Sequence, residues 1–151
     1  MKKFIMLFLF LGGLLGCSKV EKLKDFKVIS TSKVNENLTI SELKYDSEKM
    51  YEKFTAFDED ALGNGLYVFT DDKSKPIYIL FNAKGETYSN MSFAIEDGVL
   101  NLKYKSEIDE DYNQKQLFRI KTDSKIYDKI LVEKNGEEDK INNVHVGYKG
   151  N

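Results

Sequence analysis

The sequence predicts an all-β fold, or a β-rich one with at most one short helix, arranged as a single antiparallel β-sandwich or small barrel. Three observations predict it. Apolar residues alternate with polar ones in short runs, as half-buried strands require. Turn signals recur every 8 to 12 residues, among them Asp97-Gly98 and Asn135-Gly136. No long segment carries the helical period that crossovers in a parallel α/β sheet would need. A chain of 151 residues, 41% hydrophobic and 32% charged, suits one globular domain with its own core.

The N-terminus stands apart from that domain. Lys2 and Lys3 precede an unbroken low-polarity run of 12 residues, Phe4 to Leu15, ending in Gly16 and Cys17. A membrane-spanning helix needs about 20 apolar residues, so this run is too short to be a span. A basic start, a short apolar stretch and a small residue at its end form the pattern of a secretory signal peptide. An N-terminal core helix is the alternative, and the lack of any polar face argues against it.

Leu14-Leu15-Gly16-Cys17 resembles the lipobox of bacterial lipoproteins, in which Leu, a small or aliphatic residue, Gly or Ala, and Cys follow one another. The resemblance covers the first 17 residues and implies cleavage between Gly16 and Cys17. It also implies a diacylglycerol thioether on the Cys17 sulfur, and in many bacteria an acylated α-amine. Two or three acyl chains hold a protein stably at a membrane, whereas one binds marginally. The implied location is the extracytoplasmic face of the cell membrane. Ser18 after the cysteine leaves the outer membrane open in a host with two. The expected division is therefore signal peptide at 1–16, lipidated Cys17 with a short tether at 17–25, and a β-rich domain at 26–151.

Within the domain, Leu38, Ile40, Leu43 and Tyr45 mark a first strand, and Asp46 to Lys49 a turn. Residues 47–57 read two ways: a strand is favoured, but Met50, Phe54 and Phe57 also fit one helix face. Gly65 to Thr70 is rich in β-formers, and Ile77 to Phe81 is apolar enough to be a central strand. Ala83-Lys84-Gly85-Glu86 reads as a further turn. Met91, Phe93 and Ile95 alternate into Asp97-Gly98, and Leu100, Leu102 and Tyr104 alternate back, a hairpin with one watery face. Phe118 and Ile120 belong to another strand. A second hairpin runs from Ile130–Val132 through Asn135-Gly136 towards Ile141 or Val144 and Val146.

The residue types exclude much chemistry. A formal charge of −2 argues against a nucleic-acid binder. One cysteine and one histidine exclude a disulfide framework and the Cys- or His-rich metal sites. A serine triad needs a histidine base, and His145 lies in an alternating strand beside no nucleophile motif. No Walker or Gly-x-Gly-x-x-Gly loop is present, so no cofactor is expected. Asp58 to Gly63 and Asp109 to Asn113 imitate the start of a calcium loop. Leu62 and Phe69 occupy ligand positions of the first, while Gln114 and Ile120 replace the turn glycine and final Glu of the second. Solvated turns are the better reading, with weak calcium binding as the alternative. No catalytic or metal residue is nominated.

Tyr67, Tyr78, Tyr88 and Tyr104, with Tyr127, lie in or beside strands. They fill core edges or, alternatively, form a contact patch of the kind found at protein interfaces. The expected function is that of a non-catalytic binding lipoprotein for a protein or peptide partner at the cell envelope, an immunity or inhibitor role being one version. An envelope hydrolase using a carboxylate pair and a structural envelope component are the alternatives. Removing residues 1–16, with Lys2 and Lys3, leaves 21 basic against 25 acidic residues, a formal −4 on the mature chain.

Overall fold

The computed structural model describes residues 25–70, 76–122, 129–141 and the backbone of 143–146. The N-terminal apolar run, Cys17, Tyr127 and residues 71–75, part of the polar Asp71–Pro76 segment whose composition predicts a turn, lie outside the described residues.

The fold is β-rich with one short helix, as predicted. Its strands are β1 (Val28–Asn35), β2 (Leu38–Leu43), β3 (Gly65–Thr70), β4 (Ile77–Glu96), β5 (Val99–Thr122), β6 (Lys129–Lys134), β7 (Glu137–Asp139) and β8 (Asn143–Val146), with α1 (Ser47–Lys53) between β2 and β3. They form one sheet in the order β1-β2-β5-β4-β3-β8, with β6 also paired to β5 and β7 to β6. Pairing is antiparallel throughout that path except where β8 joins β3 in parallel; β6 also lies parallel to β5. The sheet ends at β1 and β8, so the barrel alternative is not realised and a folded, sandwich-like sheet is.

Two long strands cause the folding. β4 has 20 residues and β5 has 24, far beyond the usual strand of about 5–6. Their pairing breaks register at two places, between Lys84 and Glu86 and between Ser89 and Ser92. At the first break Gly85, with φ 75°, faces an excursion of β5 from Asp109 to Tyr112. At the second, Asn90 takes φ 51°. Bulges bend a sheet and increase its twist. Beyond them the far end of the hairpin lies back over the near end, and Phe93 meets Phe118 with ring centroids 5.4 Å apart. The turn expected at Ala83 to Glu86 is thus a bulge inside one strand. Backbone pairing resumes on both sides of Gly85, so the chain bends there without reversing.

The sheet's near half separates two cores, as its alternation dictates. Leu66, Val68, Ile77, Ile79, Phe81, Phe118 and Ile120 face the folded-back hairpin and pack on Leu100, Leu102, Tyr104 and Val132. Tyr67, Phe69, Tyr78, Leu80 and Leu117 face the other way, onto Phe26, Met50, Phe54 and Phe57. Ile77 to Ala83 is buried at every position, the pattern of a strand covered on both sides.

Residues 47–53 form a helix, which corrects the favoured strand reading. Asp46, in extended conformation, accepts a hydrogen bond from the Lys49 N–H at 3.2 Å and caps α1. Met50 and Phe54 then reach the sheet from one face. The Asp97-Gly98 and Asn135-Gly136 turns both have positive φ, 49° and 76° for the first and 54° and 86° for the second, matching type I′ hairpins. The second hairpin closes on β7, whereas Val144 and Val146 pair with β3 instead. β1, for which no strand was expected, forms the sheet's edge. Among the described residues no helix is long and apolar enough to cross a membrane.

Candidate functional site: a locked carboxylate and an exposed edge

The bulge at Gly85 turns Glu86 towards β5 and β6, where four donors converge on it. Its Oε1 accepts from the Tyr88 hydroxyl at 2.9 Å and from the Asn64 amide. Its Oε2 accepts from Lys134 Nζ at 2.8 Å and from the Ser106 hydroxyl. Tyr88 Oη also lies 2.9 Å from Asn64 Oδ1, so its single proton is shared between Glu86 and Asn64, and Asn64 Oδ1 accepts the Lys84 N–H at 3.0 Å. The Lys134 ammonium also lies 5.9 Å from the Tyr88 ring centroid. Beside this ring of contacts, Tyr104 donates to Asp139 Oδ2 at 2.6 Å and packs edge-on against Tyr88 at 5.1 Å.

Burial by itself would raise the Glu86 carboxyl, but the Lys134, Ser106, Asn64 and Tyr88 bonds outweigh it and bring it to about 2. Burial and the neighbouring carboxylates push the Tyr88 and Tyr104 hydroxyls well up, so both stay protonated donors. A general acid needs a raised carboxyl, and a base needs a free lone pair. Glu86 offers neither: it is anionic and its oxygens are occupied. The arrangement fastens β4, β5, β6 and the β3 approach loop together.

A second embedded carboxylate behaves alike. Glu59 Oε1 accepts from Tyr45 at 2.9 Å and pairs with Lys115 at 3.2 Å. Burial raises its carboxyl, and those two partners hold it below the usual range all the same. Asp25 joins Arg119 Nη1 at 2.7 Å and Lys53 Nζ at 3.6 Å, tying the start of the domain to β5 and α1.

The tyrosine patch does not form. Tyr67, Tyr78, Tyr88 and Tyr104 are all buried, the most exposed at 8%. Tyr67 and Tyr78 face the α1 side, while Tyr88 and Tyr104 face the folded hairpin. Strand alternation puts them on opposite sides of the sheet, and their rings fill the cores. Three of their hydroxyls are engaged within the protein: Tyr67 accepts the Gly63 N–H at 2.9 Å, Tyr88 donates to Glu86 and Tyr104 to Asp139. The first acidic loop is a turn, in which Asp58 accepts from the Asp60 N–H. The second, expected as a turn, is instead the bulged stretch of β5 opposite Gly85, where Asp109 accepts from the Asp111 N–H. Among the described residues no group of three or more His, Cys, Asp or Glu is placed to hold a metal ion.

Sequence reasoning missed β1 and the Glu86 network. β1 is exposed at all eight positions, with Val28 at 42%, Ile29 at 59% and Val34 at 45%. The β-branched Val28, Ile29 and Thr31 are a usable signal for a strand. Nothing local links Glu86 to Lys134, 48 positions away. No protein-family model, curated protein or solved structure matches the chain.

Proposed function

We propose that the mature chain is a lipid-anchored extracytoplasmic protein whose β-domain is a non-catalytic binding module for a protein or peptide partner at the cell envelope. The observation that carries the reading is Leu14-Leu15-Gly16-Cys17 at the end of a 12-residue apolar run, with Cys17 the chain's single cysteine. A thiol placed there has one clear use, as the nucleophile alkylated by a lipid donor. Binding is favoured over carboxylate hydrolysis because the two embedded carboxylates, Glu86 and Glu59, are tied up by Lys134 and Tyr88 and by Lys115 and Tyr45. A hydrolytic pair needs one carboxyl raised.

Membrane fractionation of the full-length chain tests the anchor. Wild type is expected in the membrane fraction with an acylated N-terminal Cys17 peptide by mass spectrometry. Cys17→Ser should lose the acyl mass and accumulate as the uncleaved precursor. A Cys17→Ser protein that is still cleaved at Gly16 and acylated overturns the reading. Cross-linking in intact cells then tests the binding role: a discrete envelope protein captured by wild type supports it. Turnover of cell-wall fragments by the purified protein overturns it.

A further inference from the structure

β1 alone, among the strands whose side chains are described, is exposed at every position. Val28, Ile29 and Val34 account for three of the five large exposed hydrophobic residues of the described chain. Such a cluster on one element marks a contact surface. Two of the three have a particular position. The β1–β2 register passes from Val28↔Leu43 to Ser30↔Glu42 and from Lys33↔Thr39 to Asn35↔Leu38. Ile29 and Val34 are therefore the extra residues of two bulges. Bulges twist an edge away from strand addition, which disfavours a second β-strand, from another copy or another protein, as the occupant.

Charge and chain length favour a different one. From Phe26 to Lys44 the sequence holds Lys27, Lys33 and Lys44 against Glu36 and Glu42, an excess of one positive charge, and no residue within β1 itself is acidic. Lys44 lies beside them, its N–H donating to the Lys27 carbonyl at 2.8 Å. Asp25, the nearest acid before the strand, is already paired with Arg119 and Lys53. Eight residue steps separate Asp25 from Cys17, so full extension places it no more than about 28 Å from the acylated sulfur. β1, itself 8 residues long, begins three residues later.

We propose that β1 lies on an anionic lipid surface, with Val28, Ile29 and Val34 at headgroup depth and Lys27 and Lys33 against lipid phosphates. The inference rests on the lipid-anchor reading and adds the surface that the anchored domain presents to the bilayer. Apolar side chains gain by leaving water at the interface, and lysines near an anionic surface add to that attraction while their stems lie along it.

The test uses the acylated protein, reconstituted in phosphatidylcholine vesicles with or without phosphatidylglycerol. Amide hydrogen exchange is read along residues 28–35. Exchange is expected to slow several-fold in the anionic vesicles and to recover at high salt. Lys27→Glu and Lys33→Glu should each weaken the contact about fivefold. Ile29→Ser with Val34→Ser should weaken it too while leaving exchange in β4 and β5 unchanged, since both side chains are exposed. Equal exchange in both vesicle types overturns the proposal. So does protection that grows with protein-to-lipid ratio and yields a β1–β1 cross-link, which would mean a second copy. A Cys17 peptide without acyl mass overturns the anchor and this proposal together, whereas an acylated protein with unprotected β1 overturns this proposal alone.

Discussion

The two cores on either side of the same strands are closed by different means. On one side β4 and β5 fold back and cover themselves, and the core runs from Leu38 to Val132. On the other, a helix of seven residues and the segment after it supply Met50, Phe54 and Phe57. Self-closure requires a bend, and the bend requires bulges at Gly85 and Asn90. A bulge opens the ladder and leaves polar groups to satisfy, and the Glu86 network stands at that point. The helix side needs no such device, because a capped helix satisfies its own backbone. Its carboxylate partners lie at the margin, on Tyr45 and Lys115. The Glu86 network thus stands where β4–β5 pairing is broken, whereas the Glu59–Lys115 and Asp25–Arg119 pairs hold the helix side to regularly paired stretches of β5.

Core truncations test the comparison most strongly. Phe81 is fully buried and touches Tyr88, Tyr104 and Phe118 at 5.7, 5.3 and 5.8 Å between centroids. Phe81→Ala should cost about 4 kcal/mol, enough to leave little folded protein. Phe54→Ala, on the helix side, removes contacts with Phe69 and Tyr78 at 4.7 and 5.2 Å and should cost about 3 kcal/mol. Urea denaturation ranks the two. A larger loss at Phe54 would make the helix side the dominant core.

The Glu86 network comes next. Its carboxyl is held at about 2 against an ordinary 4.5, so its contribution is complete above the unfolded value and is lost as pH falls towards 2. At neutral pH, Glu86→Gln should cost about 2 kcal/mol. The gap in urea midpoint between wild type and Glu86→Gln should narrow as pH drops from about 5 to about 2. A gap independent of pH would show that the carboxylate charge contributes nothing to closing the hairpin. The smallest effect is at the helix cap: Asp46→Ala should cost about 1 kcal/mol through loss of the bond to the Lys49 N–H. The same denaturation series reads it, and no loss would mean that packing alone orders α1.

Much of the fold was legible in local pattern. The β-formers of Gly65 to Thr70 predict a strand, and the segment is β3; both Asx-Gly turns take the positive φ that their residues favour. The helix at 47–53 was not legible. Met50, Phe54 and Phe57 fit either period over so short a segment, and the choice was made by a sheet face that needed covering. Gly85 misled for a related reason: positive φ serves a turn and a bulge equally, and only the continuing β4–β5 pairing distinguishes them. The tyrosines misled because alternation tells which residues share a face, not whether that face meets water.

By itself the sequence determined the β-rich class, the hairpin turns and the lipobox-like end of the N-terminal apolar run, because each depends on neighbours along the chain. Tertiary structure alone decided that one sheet folds over itself, that four tyrosines are buried, that Glu86 is held by Lys134, and that β1 is left bare. Those outcomes depend on residues brought together from distant positions. Burial, pairing and charge state are properties of the partners that meet there, and no single segment of the chain carries that information.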